Sequence, residues 1–402
     1  MEGRFLITEY KNKKMAFLFE EERLVKVHFL DKSSIVGNIY TAKVVNKIKS
    51  IDAVFLNIGT SDYLYYPLAD NENNHIFLRH GNSDKVNIGD EILVQVSKDY
   101  IKSKKAEATA NINLKGIYSV INRTGNIGIS SKISDAEKRE SLKKSFKSLI
   151  EEYKDINAGV IVRTAAEKED IENVLKEAKE LFEKMRQIIN KSVHLMEKTL
   201  VYSAGNSVTE IISDLLAKGR FSKLDIVTDD KSIFDDLKTA FSEDDRLIKY
   251  QDTVFLKLFE DDMTTLSLVY SLDRAIEKGF ARTIHLKSGG SIVVDVTEAM
   301  TVIDVNTSKA VNGKNVQSIF LKINKEAAQM IARVIRLRNI SGIIIVDFIN
   351  MKDPKATSEL IEYLKSEIAR DEIKVNFIDV TGLGLVELTR KKVEKPITAA
   401  DL

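Results

Sequence analysis

The chain has 402 residues, of which 44% are apolar and 30% charged, with a formal net charge of +1. That length supports a sizeable core and two to three domains, while the balanced charge excludes a global polycation, so any nucleic acid must be held by local basic patches. Cysteine is absent, which excludes disulfides and thiolate zinc sites and fits a reducing compartment. The histidines (His28, His75, His80, His194 and His285) show no metal-ligand spacing. No signal-peptide pattern begins the chain and no apolar run approaches the ~20 residues of a membrane span, so the sequence reads as a soluble, cytoplasmic protein with no membrane partner.

Residues 3–34 carry the apolar runs Arg4–Ile7, Met15–Phe19 and Leu24–Leu30, a meander of strands too short to be a domain alone. Residues 36–120 form a second β-rich block, with strands expected at Val36–Val45, Ala53–Gly59, Asp62–Pro67 and Gly89–Val96. Short, evenly spaced strands suit a small barrel. Gly37-Asn-Ile-Tyr40, Ala53-x-Phe-x-x-x-Gly59, the aromatic strand ending in Pro67 and Gly89-Asp-Glu-Ile-Leu-Val-Gln-Val96 together resemble the S1 RNA-binding domain, an OB-fold barrel. Such barrels stack single-stranded bases on aromatic rings beside positive charge. Phe55 and Tyr65 are the candidate platforms; the competing reading is that they fill the barrel core. Lys98, Lys102, Lys104 and Lys105 follow and could hold the backbone, although a charge run is commonly just a solvated face.

Ser134-Asp-Ala-Glu137 reads as a capping box for a helix from about Asp135. The strand Gly159–Ala165 carries Arg163-Thr164 at its end, and a guanidinium with a hydroxyl can grip a phosphate through charge-assisted bonds. Surface ion pairing is the commoner use of such an arginine. Residues 167–197 read as an amphipathic helix packed in a core. Residues 200–275 alternate strand and helix, an α/β unit that could complete the sheet begun by residues 3–34, with the barrel and the next segment inserted between.

In the C-terminal third, three apolar runs lead onto an acid: Ile292–Val294 before Asp295, Thr301–Ile303 before Asp304, and Ile343–Val346 before Asp347. These read as buried strands delivering acids to a sheet rim, where α/β proteins commonly build sites. An aspartate after a strand also serves as a turn former or helix cap. Asp304, Asn306 and Asp347 would make a hard-oxygen cluster suited to Mg²⁺ or Mn²⁺ rather than zinc. A long helix is expected over Val316–Arg338, a further helix is started by Asp353-Pro354, and a strand covers Val375–Asp379.

The motifs Lys287-Ser-Gly-Gly-Ser-Ile-Val-Val-Asp-Val-Thr-Glu-Ala299, Ile303-Asp-Val-Asn306, Ile335-Arg-Leu-Arg-Asn-Ile-Ser-Gly-Ile-Ile-Ile-Val-Asp-Phe-Ile349 and Leu383-Gly-Leu-Val-Glu-Leu-Thr-Arg-Lys391 resemble the ribonuclease E/G family. The resemblance implies an α/β (α+β multidomain) fold. An RNase H-like subdomain (1–35 plus 200–277) would carry an inserted S1 barrel (36–120) and a 5′-sensor region (121–199), followed by a DNase I-like catalytic subdomain (278–402). It implies that Asp304 and Asp347 ligate a catalytic Mg²⁺ and that Asn306 positions the scissile phosphate or the metal water. Phe55, Tyr65 and Lys104 would hold single-stranded RNA, and Arg163 with Thr164 would sense a 5′-monophosphate. The activity implied is endonucleolytic cleavage by metal-activated water, leaving 5′-phosphate and 3′-hydroxyl ends, in RNA processing or decay. The competing function classes are a non-catalytic S1-type RNA-binding protein and a DNA nuclease.

Two departures qualify that mapping. Family members usually continue into a Cys-Pro-x-Cys zinc link between protomers; with no cysteine, no zinc is expected here, and a homodimer would have to form through other surfaces. Gly382 stands where the family tends to have a basic residue that helps the 5′ pocket, so a weaker sensor is expected.

Overall fold

The computed structural model describes all residues except 31–34, 73, 99–104, 205–207, 218, 262, 308–315 and 394. Lys102 and Lys104 of the expected basic cluster therefore lie outside the described residues. The chain divides into two units, Met1–Asp31 with Phe221–Leu402, and Lys32–Arg220. Among the described residues no helix is long and apolar enough to cross a membrane.

The first unit opens with β1 (Glu2–Tyr10), β2 (Lys13–Glu20) and β3 (Arg23–Phe29), the expected meander. Phe5, Leu6 and Ile7 are all fully buried, which marks β1 as covered on both faces.

The second unit begins with β4 (Ile39–Ile48), β5 (Ala53–Asn57), β6 (Leu64–Pro67), β7 (Phe77–Arg79), β8 (Glu91–Lys98) and β9 (Glu107–Thr109). Pairing runs β4-β5-β6-β9-β8, and β4 also pairs with β8, so these strands close into an OB-like barrel. Val54, Leu56, Leu64, Tyr66, Ile92 and Val94 fill it. There follow β10 (Leu114–Lys115), β11 (Ser119–Asn122), β12 (Ile127–Ile129), α1 (Ala136–Glu151), β13 (Gly159–Val162), α2 (Ile171–Ser192), β14 (Leu200–Tyr202) and α3 (Val208–Ala217). Sheet β10-β11-β13-β12 packs on α1 and α2 around Phe146, Phe182, Val160 and Val162. The cap of α1 differs from the expected box. Asp135 is the N-cap and accepts from the Lys138 N–H, because Ser134 instead donates to the Glu167 carboxylate at 2.8 Å. Leu200–Tyr202 also departs from expectation, pairing with β4 of the barrel rather than with the first sheet.

The first unit resumes with β15 (Lys223–Thr228), α4 (Lys231–Glu243), α5 (Asp245–Ile248), β16 (Val254–Leu258), α6 (Leu266–Val269) and α7 (Leu272–Phe280). β15 and β16 join β1 in parallel, giving the order β16-β15-β1-β2-β3. The chain closes with β17 (Thr283–His285), β18 (Gly290–Val296), β19 (Met300–Thr307), α8 (Val316–Leu337), β20 (Gly342–Asp347), α9 (Pro354–Ile368), β21 (Val375–Val380) and β22 (Val386–Arg390). Their sheet runs β17-β18-β19-β20-β22-β21, and β19–β20 is parallel because α8 carries the chain back between them. From Ile323 to Ile335 the apolar stripe of α8 is buried against Ile292, Ile303, Val305, Ile344 and Val346.

One buried ion pair anchors this last sheet. Arg390 at the end of β22 donates from Nε to Asp371 Oδ2 at 2.9 Å, with both side chains only 4% exposed. Arg390 also donates to Asn339 Oδ1 at 2.6 Å. Removing the acid strands a buried guanidinium, so Asp371→Ala is expected to cost this unit about 3–5 kcal/mol. The check is urea unfolding followed by circular dichroism: the midpoint of the first unit should fall with its slope unchanged.

Candidate metal centre and nucleic-acid interface

The expectation that the acids end buried strands holds for Asp347, the last residue of β20, and is corrected for Asp304. β19 alternates, with Thr301, Ile303 and Val305 buried and Val302 and Asn306 exposed. Asp304 lies within the strand, which continues to Thr307, so it stands on a face and not at an end. One face of the sheet packs on α8 and the other is open, because side chains alternate across a strand. Val302 and Ile343 are 37% and 47% exposed on that open face.

Asp304 on β19 and Asp347, the last residue of β20, are direct register partners. Their side chains therefore leave the same face, on strands about 4.8 Å apart. Asn306, two residues along β19, shares that face and donates from Nδ2 to Asp304 Oδ2 at 2.6 Å. The geometry brings the expected trio together. The third strand acid has a different environment. Asp295 is held by a two-pronged bond from Arg282, Nε to Oδ1 at 2.6 Å and Nη2 to Oδ2 at 2.7 Å. Those bonds keep the Asp295 carboxyl below the usual carboxylate range. Asp304 and Asp347 make no ion pair among the described residues, and Glu387 of β22, the register partner of Ile345, adds a further carboxylate to the same face.

Among the described residues no group of three or more acidic or histidine side chains gathers as a metal cage. Two carboxylates and an amide nevertheless fit Mg²⁺, which retains several waters and commonly takes only one or two protein carboxylates. They offer no nitrogen or sulfur donor set for zinc. A positioning residue escaped the sequence reading. Asn324 of α8 is fully buried; its amide donates to the Ile349 carbonyl at 2.8 Å and accepts from the Ile349 N–H at 3.0 Å, which fixes the chain just beyond Asp347. A lone polar side chain inside an apolar helical stripe was the available signal.

In the second unit, Phe55 on β5 and Tyr65 on β6 are register partners, stacked edge to face with centroids 6.2 Å apart. Both are half-buried on the outer surface, whereas their neighbours Val54, Leu56, Leu64 and Tyr66 are fully buried inside the barrel. Tyr63, which the sequence reading passed over, is 42% exposed, with Lys105 Nζ 5.8 Å from its ring centroid. Lys98 is occupied by Glu107 at 2.7 Å.

Arg163 follows β13 and donates to the Gly116 carbonyl and to Asp214 Oδ1 at 3.2 Å. Thr164 Oγ1 lies 2.9 Å from Ser130 Oγ. Behind this cluster the Glu177 carboxylate accepts from the Tyr118 and Ser119 N–H groups at 2.9 and 3.1 Å, and so shapes the Gly116–Ser119 turn. Burial pushes the Glu177 carboxyl up, opposed by the bonds from Ile117 and Ser119. A Cβ at Gly116 would lie 2.5 Å from that carboxylate, so a side chain there would force Glu177 to shift. Gly382 sits exposed in the turn between β21 and β22 with nothing around it.

Comparison with known proteins gives a consistent result. The model of the Ribonuclease E/G family matches residues 113–393. Ribonuclease G of Haemophilus influenzae is 30% identical over 398 residues, covering 94% of this chain and 77% of that protein. Ribonuclease G of Escherichia coli strain K12 is 29% identical over 379 residues, covering 91% and 74%. Ribonuclease E of Haemophilus influenzae is 29% identical over 365 residues, covering 89% of this chain and 38% of its own longer sequence. Joined with the OB-like barrel and the C-terminal α/β sheet, these matches establish that the chain belongs to the Ribonuclease E/G family.

Proposed function

We propose that the chain is a Mg²⁺-dependent endoribonuclease (Mn²⁺ being an acceptable substitute) that cleaves single-stranded RNA during RNA processing or decay. The observation that carries this reading is the in-register pair Asp304 and Asp347, free of any ion-pair partner among the described residues and joined by Asn306 on the open sheet face. A divalent ion held there supplies a water that is nucleophilic at neutral pH and neutralises charge on the phosphate. The two carboxylates provide its protein ligands. Asn306, whose amide donates to Asp304, would orient a water or the scissile phosphate beside the ion. With water attacking phosphorus, the P–O3′ bond breaking and a proton passing to the departing 3′ oxygen, the products would carry 5′-phosphate and 3′-hydroxyl ends.

Substrate holding belongs to the barrel in this proposal. The exposed edges of Phe55 and Tyr65 stack bases, Tyr63 extends the platform, and Lys105 and Lys104 supply positive charge. Arg163 and Thr164 form the receptor for a 5′-monophosphate. The phosphate would draw the guanidinium away from Asp214, with which it now pairs. That competition, together with Gly382, supports a modest preference for 5′-monophosphorylated RNA.

Asp304→Asn is expected to lower the cleavage rate about a thousandfold, the equivalent of several kcal/mol of lost charge stabilisation, with RNA binding retained. Cleavage that survives this change, or that survives EDTA, removes the centre assigned here; binding with no cleavage in the unmodified protein would instead favour a non-catalytic RNA-binding role. Phe55→Ala and Tyr65→Ala should each weaken single-strand binding by about 1–3 kcal/mol in a fluorescence anisotropy titration, with the melting temperature little changed. Arg163→Ala should erase any rate difference between 5′-monophosphate and 5′-hydroxyl substrates while leaving 5′-hydroxyl cleavage as it was.

A further inference from the structure

A cavity of about 470 Å³ lies in the first unit, bounded by the turn between β2 and β3, the turn between β17 and β18, the outer face of α8, and α9. Arg23, Lys287, Lys322 and Lys325 reach it from separate segments of the chain. Lys325 is paired with Glu359 at 2.5 Å, but Arg23, Lys287 and Lys322 make no ion pair among the described residues. Two acids share the lining, Glu21 and Glu326, and the second is already engaged. Glu326 accepts the Lys287 and Ser288 N–H groups at 2.7 and 2.8 Å. Burial pushes its carboxyl up, yet those bonds and Arg23 outweigh burial and hold it below its ordinary range.

The positive charge also continues past the cavity. Arg333 lies one turn beyond Gln329 on the same face of α8 and donates from Nε to the Leu24 carbonyl at 2.8 Å. Burial and the neighbouring Arg23 and Arg336 push its guanidinium down to about 10. Three cations without an ion pair among the described residues, with a half-buried tyrosine ring (Tyr363) on one wall, join Lys325 to outnumber the two lining acids, Glu21 and Glu326, and leave an excess of positive charge around a concave surface. Lysines and arginines converging from several directions suit a group that presents several anionic oxygens at once.

We propose that this cavity binds a phosphate group, through Arg23, Lys287 and Lys322, with Tyr363 beside the nucleoside or sugar attached to it. The site is distinct from the open sheet face, lying across α8 from it, and does not depend on the catalytic assignment. Two sources present this chemistry: a free phosphate or nucleotide, and a phosphodiester of the RNA chain.

The test is calorimetric and anisotropy titration in EDTA with three probes: inorganic phosphate, uridine 5′-monophosphate, and a short single-stranded RNA with a 5′-hydroxyl. Each is measured on the unmodified protein, on K287Q/K322Q and on the charge-preserving K287R/K322R. The proposal expects K287Q/K322Q to bind at least one probe tenfold or more weakly, and K287R/K322R to bind it as the unmodified protein does. If RNA is the source, log K against log salt should also become shallower by about 1.4, for two lost single-strand phosphate contacts at about 0.7 each. If the free ligand is the source, phosphate and the nucleotide weaken and the RNA slope stays. Equal binding of all three probes by the unmodified protein and K287Q/K322Q overturns the proposal, as does a loss shared equally by the arginine pair, which would mark a packing effect.

Discussion

The parallel pairing of β19 with β20 is the constraint on which the candidate centre rests. It sets Asp304 directly beside Asp347, two like charges on adjacent strands with no cation to relieve them among the described residues. Like charges on neighbouring strands modestly disfavour that pairing, so packing elsewhere must fix the register. Here α8 does so. Its stripe from Ile323 to Ile335 seals the opposite face of the sheet, and Asn324 clamps the backbone at Ile349. On the far flank, Arg390 and Asp371 tie β22 to the segment after α9. The register of the two acids is therefore fixed by packing, hydrogen bonding and a buried ion pair that lie away from them.

The second unit follows the same logic with a different chemistry. Period-two alternation sends Val54, Leu56, Leu64 and Tyr66 into the barrel and leaves Phe55 and Tyr65 outside, edge to face. Aromatic area that a core would ordinarily absorb is kept on the surface. Around Arg163, rigidity comes from a buried carboxylate: Glu177 gathers the N–H groups of one turn and thereby fixes the carbonyl of Gly116 that the guanidinium meets.

Much of this was legible in the residues alone. The apolar runs marked the strands of both units, the Gly- and aromatic-bearing strands marked the barrel, and Asp304, Asn306 and Asp347 do share one face. Less legible was which face. Runs such as Ile343–Val346 read as covered on both sides, but Ile343 is half-exposed, and hydrophobicity alone does not distinguish an open sheet face from a packed one. The capping box at Ser134 failed for a tertiary reason, since Glu167, remote in sequence, takes that hydroxyl. The pairing of β14 with the barrel and the engagement of Asp295 by Arg282 are likewise long-range or cross-strand facts that no local pattern encodes.

The bare carboxylate pair has a thermodynamic corollary. An open face carrying uncompensated negative charge repels a polyanion, and a divalent ion held by Asp304 and Asp347 would reverse the sign of that encounter. Occupancy by the ion and docking of an RNA phosphate are then a single cooperative event: whatever factor the ion adds to the affinity for RNA, RNA adds to the affinity for the ion. A weakly held ion would remain largely dissociated in the resting protein and be retained once a strand arrives, so that the strand completes the centre that acts upon it.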